Sequence, residues 1–208
     1  MSRVLVATSN AGKLRDLTGA AAHLGIEILG VPGFSRLAPV EEDGETFAAN
    51  ARKKAEIYSL AAPGELVLGD DSGLEVDALG GAPGVHSARY ANIGLLASPS
   101  LNDAPGNADD AANNARLLRE LADVPDEKRT ARFVCVLAAA RDGITQAVFR
   151  GEAQGVILRE PRGTNGFGYD ALFYFPELGK TFAEISAKEK ARYSHRGAAF
   201  RKFLEWGG

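Results

Sequence analysis

Cysteine is nearly absent from this sequence: 208 residues contain one, Cys135. That excludes an internal disulfide and any metal site built on several thiolates, and the position of Cys135 inside the apolar run FVCVLAAA marks it as core. Histidine is scarce as well. His23 and His86 carry no functional signal, and His195 has no second histidine at metal-ligand spacing, which argues against zinc. Long apolar runs are missing. The N-terminal MSRVLVATSN is too short for the core of a signal peptide or a membrane span, and the longest later run, residues 133 to 140, is too short to span. The expectation is a cytoplasmic protein without a membrane partner. Blocks of basic charge are also lacking, since Lys and Arg are scattered and the net charge is −3, so no nucleic-acid partner is expected. A phosphate-bearing ligand has to be held by local cations.

What is present is enough for a core, with 45% hydrophobic residues, and a length that suits one domain, residues 1 to 208, in one or two lobes. RVLVAT (3 to 8) reads as a strand closed by a small-residue turn. LRDLTGAAAHL then sets Leu14, Leu17, Ala21 and Leu24 at helical spacing. EILGV (27 to 31) is a second strand, ETFAANARKKAEIYSLA a helix with Phe47, Ala51, Ala55 and Tyr58 on one face, and ELVLGDD a third strand ending in Asp70 and Asp71. Residues 92 to 110 form a long polar loop into the helix ADDAANNARLLRELA. Two long strands follow, joined through Arg-Asp-Gly as a hairpin, so the α/β pattern predicts a twisted mixed sheet flanked by helices. In SAKEKARYSHRGAAFRKFLEW, Ser186 and Glu189 have capping-box spacing, and Phe200, Phe203 and Leu204 make an apolar stripe.

Four stretches carry chemistry. TSNAGK (Thr8, Ser9, Asn10, Ala11, Gly12, Lys13) lies where a strand hands over to a helix, and its backbone amides and Lys13 suit an anion. It is not a Walker loop, because Leu14 stands where Ser or Thr belongs, and taken alone the stretch is more simply a capped helix with an exposed lysine. The second stretch is the acidic set Glu41, Glu42, Asp70 and Asp71, with Ser72 and Gly73 read as the turn after the strand. Carboxylates there fit Mg²⁺, which takes one or two of them and completes its shell with water and phosphate oxygens; a solvated acidic turn is the alternative. In GTNGFGYD, the glycines beside Phe167 and Tyr169 let amides approach a planar ligand, with both rings expected to be exposed to stack or pack; hydrophobic anchoring of a long loop is the alternative. Finally, Lys190, His195 and Arg196 in KEKARYSHR gather donors at a helix start, as a ligand site or as a solvated basic face.

Taken together and in order, VLVATSNAGK, EEDGETFAANARKKA, DDSGLEVDALGGAPGVHSARYA, GTNGFGYDALF and SHRGAAFRKFL resemble signature blocks of the inosine triphosphate pyrophosphatase family, nearly end to end. The resemblance implies a homodimer of elongated two-lobed α/β subunits around a central nucleotide cleft. It implies Mg²⁺-dependent hydrolysis of ITP, dITP and XTP to the monophosphate and pyrophosphate, removing non-canonical nucleotides from the pool. Residue by residue, it makes Thr8 to Lys13 the triphosphate loop, Glu41 and Asp71 the metal-associated acids, Asp71 also the proton acceptor, and Ser72 and Lys54 substrate contacts. Phe167, Gly168, Tyr169, Asp170, Lys190, His195 and Arg196 would surround base and sugar. The loop from Asn92 to Asp110 is longer than the family pattern suggests and falls between blocks. A nucleotide-binding regulator without turnover is the rival reading; a Rossmann dehydrogenase lacks its glycine fingerprint here.

Overall fold

The computed structural model describes residues 2–22, 24–94 and 108–207; residues 95–107, most of the expected polar loop, lie outside the described residues. Seven strands form one sheet in the order β2-β1-β3-β4-β5-β6-β7. They are β1 (Arg3–Ala7), β2 (Glu27–Gly30), β3 (Val67–Val76), β4 (Thr130–Arg141), β5 (Ile144–Ile157), β6 (Phe173–Phe175) and β7 (Lys180–Thr181). The helices are α1 (Ala11–Ala21), α2 (Phe47–Ser59), α3 (Asp110–Glu120), α4 (Ala187–Tyr193) and α5 (His195–Trp206). β1 runs parallel to β2 and β3, whereas β6 is antiparallel to β5 and β7, so the sheet is mixed, as the sequence pattern predicts.

The chain divides into two compact units. One comprises residues up to Ser72, Val134–Ala153 and the segment from Ser186; the other comprises Gly73–Phe133 and Gln154–Ile185. In the first unit the two-residue period of a strand sorts side chains to two faces. Val4, Val6, Leu66 and Leu68 turn to one side and pack with Leu17 and Ala21 of α1 and Phe200 and Phe203 of α5. Leu5, Ala7 and Val67 turn to the other side and pack with Tyr58 of α2 and Val31. Strands buried on both faces are what a parallel core requires. The second unit is anchored by aromatic packing, with Phe133 and Phe173 at a centroid distance of 4.6 Å and Phe173 and Phe182 at 5.0 Å.

Two expectations about the elements need correction. The helix after β1 stops at Ala21 and leaves Leu24 51% exposed, because the chain turns at Gly25 with φ +66. More consequentially, β3 does not end at the aspartates: it continues to Val76, so Ser72 and Gly73 are strand residues and not a turn. Asp70 and Asp71 therefore sit within a strand, where adjacent side chains point to opposite faces. No helix among the described residues is long and apolar enough to cross a membrane.

Candidate active site

The site of the first unit begins with a close approach. A Cβ on Gly69 would lie 2.2 Å from the Ala51 carbonyl oxygen and 2.7 Å from the Ala55 nitrogen, so only glycine lets β3 press its backbone onto α2. The next two residues are the paired aspartates, each buried.

Asp70 faces α1 and α5. Its Oδ2 accepts from Arg196 Nε at 2.9 Å, and its Oδ1 meets Lys13 Nζ at 2.5 Å. Ser72 Oγ donates to Oδ1 at 3.1 Å and in turn accepts from Arg196 Nη2 at 2.7 Å; the Cys135 thiol approaches Oδ2 at 3.4 Å. Asp16 holds the far side of the guanidinium, 2.7 Å from Nη1, and lies 3.5 Å from Lys190 Nζ. Burial alone would raise the Asp70 pKa, yet Arg196 and Lys13 hold it well below the usual carboxylate range, and Asp70 raises that of Arg196. Burial, with Arg196 and Lys190 nearby, keeps His195 well below its ordinary value and therefore neutral near pH 7. Burial and the Asp70 charge push the Cys135 thiol well up, so it is an inert core group.

Asp71 faces α2. Asn50 Nδ2 donates to Asp71 Oδ2 at 3.1 Å and to the Gly44 carbonyl at 3.3 Å, while its Oδ1 accepts from Gly44 N at 2.8 Å. One buried amide thus fixes the carboxylate and fastens the glutamate-bearing loop beside it. Lys54 Nζ lies 3.1 Å from Asp71 Oδ1 and 3.2 Å from Glu42 Oε1. Burial comes first in raising the Asp71 pKa, and Glu42 adds to it against the pull of Lys54 and Lys13. Glu42, more open to water, moves down under Lys54 and Lys13 despite partial burial. Two adjacent carboxylates are thus driven apart: Asp70 is a locked anion and Asp71 a more basic group, the separation expected when neighbouring acids have different tasks.

At TSNAGK, Asn10 is the N-cap of α1, its Oδ1 accepting from Gly12 N at 2.8 Å and Lys13 N at 3.1 Å, and Thr8 Oγ1 accepts from Asn10 N at 3.1 Å. Ser9, Asn10 and Ala11 are exposed, leaving the loop open to an anion. Lys190, His195 and Arg196 are buried at the junction of α4 and α5, which excludes a solvated basic face. Ser186 and Glu189 form the expected capping box, and Ser194 caps α5. In the second unit, Asp170 is buried and accepts from Phe167 N at 2.9 Å. Gly168 is held by Asp110 Oδ2 at 2.6 Å and Asn114 Nδ2 at 3.1 Å. Phe167 is half-buried, but Tyr169, expected to be exposed, is 4% exposed and donates its hydroxyl to the Ser87 carbonyl at 2.8 Å.

Glu41 is exposed, and the glutamate that meets Lys54 beside Asp71 is Glu42. Among the described residues no group of three or more His, Cys, Asp or Glu gathers as a metal cage. A pair of carboxylates converging on one cation is the donor set Mg²⁺ accepts, with water and phosphate completing its shell. Asn50 and Asp16 escape a reading of charges and motifs, although helical spacing points to both: Asn50 is four residues before Lys54 and Asp16 three after Lys13.

A search among protein families matches residues 4–206 to the model described as the Ham1 family. The chain belongs to the Ham1 family. A relative from Acidobacterium capsulatum, named dITP/XTP pyrophosphatase, is 54% identical over 96% of this chain and 95% of its own. A Thermus thermophilus protein of the same name is 49% identical, covering 98% of this chain and 90% of its own. Among solved structures, the Staphylococcus aureus Ham1 protein superposes with a TM-score of 0.77 at 36% identity, covering 99% of this chain and all of that one. The family resemblance legible in the sequence and the mixed α/β fold are borne out.

Proposed function

We propose that this Ham1 chain hydrolyses non-canonical purine nucleoside triphosphates, ITP, dITP and XTP, to the monophosphate and pyrophosphate, with Mg²⁺. The observation that carries the reading is the opposed placement of Asp70 and Asp71, one locked between Arg196 and Lys13 and the other set beside Asn50, Lys54 and Glu42, supported by the names of the relatives. Release of pyrophosphate requires water to attack in line, the phosphate charge to be neutralised and the leaving group to be stabilised. Asp71, fixed by Asn50 and raised toward basicity, takes the proton of the attacking water. Lys13, the amides of the TSNAGK turn and Lys54 receive the triphosphate oxygens. Asp71 with Glu42, where the resemblance assigns Glu41, would hold the Mg²⁺, which when bound neutralises phosphate charge. Asp70 accepts no proton; it holds Lys13 and Arg196 in register from beneath.

The resemblance assigns Phe167, Gly168, Asp170, Lys190, His195 and Arg196 to base and sugar, with Ser72 touching substrate. Tyr169 belongs with them as a ring, since its hydroxyl serves Ser87. A 6-oxo purine offers an acceptor where adenine offers a donor, so a site presenting donors there leaves them unpaired with ATP. The same resemblance carries a homodimer, while the scattered charge and short apolar runs carry a cytoplasmic protein without nucleic acid or membrane; sedimentation of the purified protein tests the dimer.

The test is product analysis after incubation with ITP, XTP, GTP and ATP, with and without Mg²⁺. Pyrophosphate and monophosphate from ITP and XTP, little from ATP and none without metal, support the reading. Orthophosphate in place of pyrophosphate, or no product, overturns it.

A further inference from the structure

Lys54 occupies a specific point: its ammonium is 3.1 Å from Asp71 Oδ1 and 3.2 Å from Glu42 Oε1, and its side chain is 8% exposed. Both carboxylates converge on one positive charge, and their other fixed neighbour on the helix side, Asn50, donates to the opposite oxygen of Asp71. Asp71 is buried and Glu42 partly so, and two carboxylates brought together there repel each other, a cost that a positive charge between them offsets before substrate arrives. Lysine suits a temporary occupant. Its ammonium is a compact point charge on a flexible stem, with three donors and no planar geometry tying it to one partner. Lys13 on Asp70 has the same relation to the other acid, but Asp70 keeps Arg196 when Lys13 leaves, whereas Lys54 stands in ion-pair contact with both Asp71 and Glu42, on which the Lys13 charge also acts.

We propose that Lys54 is a resident counter-cation that competes with a divalent metal for Glu42 and Asp71, so that metal enters only as Lys54 is drawn off. This rests on the function proposed above for what draws it off: a phosphate oxygen of the bound nucleotide. The consequence is ordered loading. Nucleotide-free protein binds divalent metal weakly, and metal and triphosphate would load together.

The experiment is a Mn²⁺ titration of the nucleotide-free protein, with free Mn²⁺ read by electron paramagnetic resonance and folding checked by circular dichroism. Lys54→Met is expected to bind one Mn²⁺ at least tenfold more tightly than wild type, and Lys54→Gln, kept in reserve should the Met variant not fold, to do the same. Lys54→Arg keeps a charge in place and is expected to stay near the wild-type affinity. Adding Asp71→Asn to Lys54→Met is expected to abolish the gain. An unchanged or weaker affinity in Lys54→Met, a gain in Lys54→Arg equal to that of Met, or a gain that survives Asp71→Asn each overturns the proposal. No nucleotide is present, so a wrong substrate shows in the product analysis and a wrong role for Lys54 shows here.

Discussion

Asp70 and Asp71 are neighbours in sequence whose carboxylates take different contact partners: β3 turns Asp70 to Arg196 and Lys13 and Asp71 to Asn50 and Lys54, although the Lys13 charge acts on both. The repulsion that an adjacent pair of carboxylates suggests is thereby resolved inside the protein, by strand geometry and two separate sets of donors, before any substrate or metal arrives.

Asp70→Asn removes the anion from between two cations, Arg196 being fully buried and Lys13 mostly so. Breaking a buried pair from one side costs about 3–5 kcal/mol. Urea unfolding is expected to show a loss of that order, and Lys13, released from its anchor, to bind substrate less well, seen as a raised KM.

The two acids give stability opposite dependences on pH. The folded-state pKa of Asp70 is depressed, so its contribution is complete above the ordinary carboxylate value of about 4 and is lost as pH falls below it. That of Asp71 is raised, so the folded state holds the proton more firmly and its contribution is lost as pH rises from about 4 through the raised value. Unfolding free energies of metal-free protein between pH 3 and 7 are expected to show the deficit of Asp70→Asn shrinking toward acid. Asp71→Asn is expected to gain on wild type toward neutrality.

Asn50→Ala removes the amide that joins Asp71 to the Gly44 backbone. Leaving those buried groups unsatisfied costs about 1–3 kcal/mol. A freed carboxylate also misplaces the proton acceptor, so kcat is expected to fall by about tenfold or more, beyond any change in KM. Steady-state kinetics on ITP, with melting followed in parallel, check both.

Tyr169→Phe separates a structural phenol from a substrate contact. Its hydroxyl is bonded to the Ser87 carbonyl, and one such bond contributes about 1 kcal/mol. The melting temperature is expected to drop with KM for ITP unchanged; a large rise in KM would mean that the hydroxyl reaches the nucleotide.

Local sequence showed most elements because their causes are local. Asn10 caps α1, Ser186 and Glu189 make a capping box, and Phe47, Ala51, Ala55 and Tyr58 are all buried on the helix face their spacing predicts. What was misread depends on partners distant in the chain. Ser72-Gly73 looks like a turn, but sheet pairing carries β3 through it, and that reversal decides where Asp70 and Asp71 point. Glu41 and Glu42 stand in an irregular loop with no period to separate them, and only the placement of Lys54 distinguishes the two. Asn50 and Asp16 are polar residues on helices, where spacing from Lys54 and Lys13 is a hint but a solvated face is the default; their neighbours on β3 and α5 assign them to the site.

The most direct measurement is the turnover of ITP with Mg²⁺ by Asp71→Asn beside wild type, on protein shown to be folded. Loss of the proton acceptor removes general-base catalysis, so a fall in kcat of about 10² to 10⁴ with pyrophosphate still the product of the residual reaction is expected. Full wild-type hydrolysis by Asp71→Asn would contradict the role given to Asp71 and with it the account of the site.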